Sequence, residues 1–190
     1  MRNSRSRQGR IAAKSRTAGI GQSLRFCRLL LILTAGLVCA HAQNLDEQPA
    51  LNASSRSARE MLAAHNAVRA EVKVPPLQWS EPLAAIARQW ANTLLAHRQF
   101  NHNLDSPYGE NLFDISGAAA TPAVAVKFWA SESRNYDYAT NSCRGLCGHY
   151  TQIVWRDTKS VGCAVARGGG REVWMCAYDP AGNWLGQRPY

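Results

Sequence analysis

The 190-residue chain has no apolar run long enough to cross a bilayer. Its most apolar stretch, "LLLILTAGLVCAHA" at residues 29–42, falls short of the roughly 20 residues that a spanning helix needs. Acid is missing from the start: no Asp or Glu precedes Asp46, whereas eight Arg or Lys stand between Arg2 and Arg28. A basic head, a short apolar run and an Ala40-His41-Ala42 exit have the form of a secretory leader, so cleavage is expected after Ala42. There is no twin-arginine pair, and Val38 is too bulky a neighbour for Cys39 to be a lipoprotein site. The expected destination is outside the cell or in a periplasm. A charge surplus is missing too once the leader is set aside. The leader holds eight of the 22 Lys and Arg, and the remaining 14 face 13 Asp and Glu, a net of +1. Nucleic-acid binders carry a basic surplus on one face, so that class of partner is excluded.

Familiar catalytic signatures are also absent. The chain has no G-x-S-x-G elbow, no H-E-x-x-H, no P-loop and no G-x-G-x-x-G. Cysteine is sparse but even in number: Cys143, Cys147, Cys163 and Cys176 follow the leader. In an exported chain four cysteines read as two disulfides, with a four-cysteine zinc site as the rival.

What is present reads as one domain. Residues 43–56 are polar and aperiodic, a flexible lead-in to a domain over 57–190. A first helix is expected from Ser57, with Glu60 closing a capping box and Pro75-Pro76 ending the run. A second follows Ser80, with Leu83, Ile86, Trp90 and Leu94 on one face. A third is capped by Thr121 with Pro122 at its first position, and Glu132 shares the face of Phe128 and Trp129. "SVGCAVARGGGREVWMCAYD" reads as a hairpin. A two-residue turn at Gly169-Gly170 sets Cys163 opposite Cys176 in a non-hydrogen-bonded pair. That favours Cys163–Cys176 as one disulfide and leaves Cys143–Cys147 as the other. Gly168-Gly169-Gly170 is then a hairpin tip rather than a phosphate cradle.

Four polar residues stand in apolar surroundings. Glu132 follows "FWAS", Glu110 lies in "YGENLF", His149 opens "HYTQIVW", and His102 sits in "FNHNLD". Two histidines and two carboxylates would suit a divalent cation such as Zn2+, although spacing alone does not bring them together.

The order and wording of four segments resemble the CAP superfamily of cysteine-rich secretory proteins, insect venom antigen 5 and plant pathogenesis-related class-one proteins. "HNAVR" (65–69), "GENLF" (109–113), "GHYTQIVW" (148–155) and "MCAYDPAGNW" (175–184) carry the resemblance, which covers about residues 58–190. Ala177 departs from the polar residue usual after that cysteine, and two of the six cysteines of plant members are absent. The resemblance implies an α+β fold, a three-layer α-β-α sandwich around a central antiparallel sheet. It also implies a cleft lined by His102, Glu110, Glu132 and His149, with His102 and His149 as metal ligands and His97 as a competitor for the first place. His65, Asn66 and Arg69 are expected to tie the first helix to its neighbours. The function implied is a secreted module that binds a divalent metal and a sterol or other small lipid, with a role in defence or host–microbe contact. A metal-dependent hydrolase and a structural or protein-interaction module are the alternatives.

Overall fold

The computed structural model describes residues 47–190, with side chains from Arg56 onward. The expected leader, residues 1–42, lies outside the described residues. The elements run α1 (Glu47–Glu71), β1 (Gln78–Trp79), α2 (Glu81–Ala96), β2 (Gly109–Ser116) and α3 (Pro122–Ala130). A 3₁₀ turn (Ser131–Asn135), β3 (Tyr136–Asp137), β4 (Ser142–Cys143), α4 (Gly148–Ile153), β5 (Ser160–Gly168) and β6 (Arg171–Asp179) follow.

α1 starts ten residues before the expected Ser57, so most of the supposed lead-in is helical and the Ser57–Glu60 box falls inside a helix. Pro49 is tolerated there because it lies in the first turn, where its missing N–H leaves no bond unmade. The later starts follow the sequence. Ser80 and Thr121 accept from the amides of Leu83 and Val124, each with a proline in the first turn behind it.

The main sheet has the order β1-β5-β6-β2. β5 pairs antiparallel with β6, and β6 with β2, but β1 pairs parallel with β5 at two positions. The sheet is therefore mixed, not wholly antiparallel as expected. Both of its faces are covered. Trp174, Cys176 and Tyr178 of β6 enter one core with Met61 of α1, Trp129 of α3 and Ile153 of α4. Val173, Met175 and Ala177 enter a second core with Leu83, Ala87, Ala91 and Leu94 of α2. A strand buried on both sides reads as a continuous apolar run, which is why "VWMCAY" does not alternate. The layers are thus α2, the sheet, and α1 with α3 and α4.

α2 buries Leu83 and Leu94 of the expected face, but between them it is the alanines rather than Ile86 and Trp90 that go fully in. Ala84, Ala87 and Ala91 are fully buried, while Ile86 and Trp90 are half-exposed. Gly162 explains the shift. A Cβ there would lie 2.1 Å from the Ala84 nitrogen and 2.4 Å from the Ser80 carbonyl oxygen. The helix start rests directly on the strand, and only small side chains fit between the two.

The hairpin forms as its glycines imply. Gly168 pairs with Arg171, Gly169 and Gly170 have φ of 57° and 73°, and Cys163 faces Cys176 with Cα atoms 4.1 Å apart. Cys143 bonds Cys147. The two disulfides consume all four thiols, so the four-cysteine zinc site is not formed.

Candidate functional site

The "HNAVR" residues of α1 are anchors. Asn66 bridges to Leu77 through both its amide nitrogen and its oxygen. Arg69 is fully buried and donates to the carbonyls of Pro75, Ile153, Trp155 and Thr158 at 2.7–3.2 Å. Burial lowers its pKa to about 10, and the four acceptors stand in for an absent carboxylate. Two of those acceptors end the segment that carries His149, so α1 holds that segment from behind.

His149 is the second residue of α4 and lies directly after Gly148. Tyr150, Ile153, Val154 and Trp155 are buried. Thr151 and Gln152 are buried too, which the sequence reading had not assigned. Thr151 donates to Asn183 Oδ1 at 2.6 Å, and Gln152 bonds Thr158 and the amide of Gly182. The polar pair thus ties α4 to the "DPAGNW" tail. Gly109 is needed opposite, because a Cβ there would lie 2.1 Å from Gln152 Oε1.

Glu132 does not share a helix face with Phe128 and Trp129. α3 stops at Ala130, Phe128 is exposed, and Glu132 belongs to the 3₁₀ turn. Its buried carboxylate meets His149 Nδ1 at 2.7 Å through Oε1. Through Oε2 it accepts from the amides of His149 at 2.9 Å and Tyr150 at 3.4 Å. A carboxylate at the first turn of a helix satisfies amides that have no intrahelical partner. Glu132 therefore positions the helix and its histidine together. The Trp129 ring lies nearly parallel to the imidazole, with centroids 6.5 Å apart.

Glu110, near the start of β2, forms the second pair. Its Oε1 meets His102 Nδ1 at 2.8 Å, and Oε2 accepts from the Asn103 amide at 3.4 Å. This hydrogen bond raises the His102 pKa above its ordinary value, against partial burial, which lowers it. His97, the competitor, ends α2 as its C-cap residue.

The two pairs are linked through the dipeptide Glu110-Asn111. Asn111 Nδ2 donates to the carbonyl of His149 at 3.0 Å and to Tyr178 Oη at 3.1 Å. Tyr178 Oη lies 2.8 Å from His65 Nε2, and His65 Nδ1 lies 2.8 Å from the Met61 carbonyl. The protons can be assigned along this chain. His65 donates through Nδ1, so its Nε2 must accept from the tyrosine, whose oxygen accepts from Asn111. Burial lowers the His65 pKa to about 4, which keeps the ring neutral as the assignment needs. Asn111 Oδ1 is buried without a partner.

His102 and His149 thus share one arrangement. In each, Nδ1 is held by a carboxylate and Nε2 has no hydrogen-bond partner among the described residues. That is the pairing by which a carboxylate orients a metal-binding imidazole, so both side chains suit a divalent cation. No three of the four residues are preassembled at coordination distance. Among the described residues, the group of three potential ligands whose atoms lie within 4.8 Å of one another is His65, Cys163 and Cys176. There the sulfurs are bonded to each other, and both His65 nitrogens are engaged.

Comparison with known proteins gives one consistent result. Residues 62–178 match the family described as "CAP: Cysteine-rich secretory protein family". The chain is 43% identical over 166 residues to pathogenesis-related protein 1 of Arabidopsis thaliana, covering 87% of this chain and 97% of that one. It is 45% identical over 143 residues to the basic form of pathogenesis-related protein 1 of Nicotiana tabacum, covering 72% and 77%. Among solved structures, venom allergen-like protein 4 of Schistosoma mansoni aligns at a TM-score of 0.60 and 28% identity, over 70% of this chain and 93% of that one. The structure of NaASP2 with Zn2+ aligns at 0.59 and 25% identity, over 73% and 87%. Motif order, two-faced sheet and sequence match agree: the chain belongs to the cysteine-rich secretory protein family.

Proposed function

We propose that this protein is a secreted binding module whose cleft takes a divalent cation, Zn2+ in the first instance, through Nε2 of His102 and His149. The observation that carries this reading is the shared geometry of the two imidazoles, each fixed at Nδ1 by a buried carboxylate and free at Nε2. Glu110 and Glu132 act as positioning residues that set tautomer and ring orientation. The similarity to a protein whose structure contains Zn2+ supports the same reading. A leader over residues 1–42 would export the domain, in keeping with the secretory family it matches. The plant relatives' description as pathogenesis-related supports a defence role outside the cell.

A small lipid or sterol is the proposed second ligand. Phe100 and Leu104, two residues to either side of His102 in the chain, are exposed and would supply the apolar contacts. A cation there would hold a polar headgroup oxygen while Phe100 and Leu104 take the apolar part.

Calorimetric titration of Zn2+ into the purified protein, into His102→Ala and into His149→Ala tests the cation claim. Loss of binding in both variants is expected, with thermal stability retained. Equal affinity in all three would overturn it. Lipid retained on purification and lost in Phe100→Ser/Leu104→Ser is the separate expectation for the second ligand.

A further inference from the structure

The middle layer of the sandwich is incomplete on one side. β5 has nine residues, yet its outer neighbour β1 has two and covers it at Ser160 and Val161 alone. Counting from the hairpin turn, the even-numbered residues of β5 exchange hydrogen bonds with β6. The odd-numbered ones turn N–H and C=O the other way, as the carbonyls of Lys159 and Val161 do when they accept from Gln78 and Ser80. Beyond β1, the main-chain groups of Val165 and Arg167 therefore point outward, with no backbone partner among the described residues.

A groove of about 370 Å³ lies along this edge, where a longer β1 would run. Ser57, Ala58 and Met61 of α1 form one wall and Glu81 and Arg88 of α2 the other. Trp79 closes one end, and Cys163, Val165, Arg167 and Trp174 line the floor. Free strand edges invite another chain to pair, and proteins usually cover or blunt them. Among the described residues, two helices flank the edge without covering it.

The charges are specific. Arg167 is held by Glu172 at 2.7 Å and lies over the Trp174 ring, and Glu81 accepts from Trp79 Nε1 at 2.9 Å. Arg88 is exposed and has no carboxylate partner among the described residues. The groove thus offers main-chain donors and acceptors, an apolar wall from α1, and on the α2 side Arg88 without a carboxylate partner beside Glu81, whose carboxylate meets Trp79.

We propose that this groove binds an extended peptide bearing an acidic side chain, which adds to β5 as a strand in line with β1 and places its carboxylate on Arg88. Strand addition draws affinity from main-chain bonds and specificity from alternate side chains. This site is independent of the histidine cleft.

The test is amide hydrogen exchange of the purified, oxidised protein with and without the peptide acetyl-Val-Glu-Val-Thr-Val-amide. Exchange at Val165 and Arg167 is expected to slow by roughly tenfold or more at saturation. A peptide with lysine in place of glutamate, or one N-methylated at alternate amides, is expected to give no protection. Arg88→Glu, an exposed change that leaves melting temperature unaltered, is expected to reverse the preference between the two charges. Unchanged exchange at both amides, or equal protection by the N-methylated peptide, would overturn the proposal. Protection that grows with protein concentration alone would also overturn it, since a second copy would then be the occupant.

Discussion

Acidification should weaken this fold through His65. The ring is fully buried, and its pKa falls from 6.5 to about 4. Between those values the unfolded chain holds a proton that the folded one excludes. Stability contributed by the neutral ring is therefore complete above pH 6.5 and lost as pH falls towards 4. Over that pH window the excluded proton is worth about 3 kcal/mol, at about 1.36 kcal/mol per pH unit. His102 works in the opposite sense. Its raised pKa stabilises the fold below 6.5, and that contribution is lost as pH rises through the folded value. The two are separated by urea denaturation of wild type and His65→Gln at pH 7, 6, 5 and 4. His102 contributes equally to both proteins, so the difference between their pH profiles isolates His65. The wild type should lose about 3 kcal/mol more than the variant across that range. Parallel profiles would refute the argument, as would an NMR titration in which the His65 ring protonates near pH 6.5 in the folded protein.

Three further outcomes follow from the packing. Gly162→Ala should cost about 1–3 kcal/mol by forcing α2 off β5, read as a lowered melting temperature with the same fold by circular dichroism. Arg69→Leu strips donors from four carbonyls and should lose more than about 3 kcal/mol in urea denaturation; Arg69→Lys should recover only part of it. Replacing Cys163 and Cys176 together by alanine opens a loop of 13 residues' separation and should lower stability by about 3 kcal/mol, with Cys143–Cys147 still intact by mass spectrometry.

Much of the site was legible because its residues break local patterns. A glutamate in "YGENLF" and a histidine ahead of an apolar run are costly unless something meets them, and each is met. The Thr151-Gln152 pair carried the same signal within "HYTQIVW", and its partners in the tail were missed. The Glu132 argument reached the right residue by a wrong route. Helical spacing placed it beside Phe128, but the helix ends two residues earlier and the carboxylate turns to the amides of α4.

The large apolar residues at helical spacing in α2 suggested its buried face. Leu83 and Leu94 are buried as expected, whereas Ile86 and Trp90 are only partly so. Hydrophobicity was weighed there without distance: at the approach set by Gly162, alanine is what fits between them.

By itself the sequence determined the features that depend on neighbours in the chain. These are the proline-bearing helix starts, the glycine turn of the hairpin and, through its register, the Cys163–Cys176 bond. Only the tertiary structure decided which histidine meets which glutamate, how far α2 stands from the sheet, and where β5 lacks a strand partner among the described residues. Those depend on residues tens of positions apart, and no local propensity or period encodes the separation between two packed surfaces.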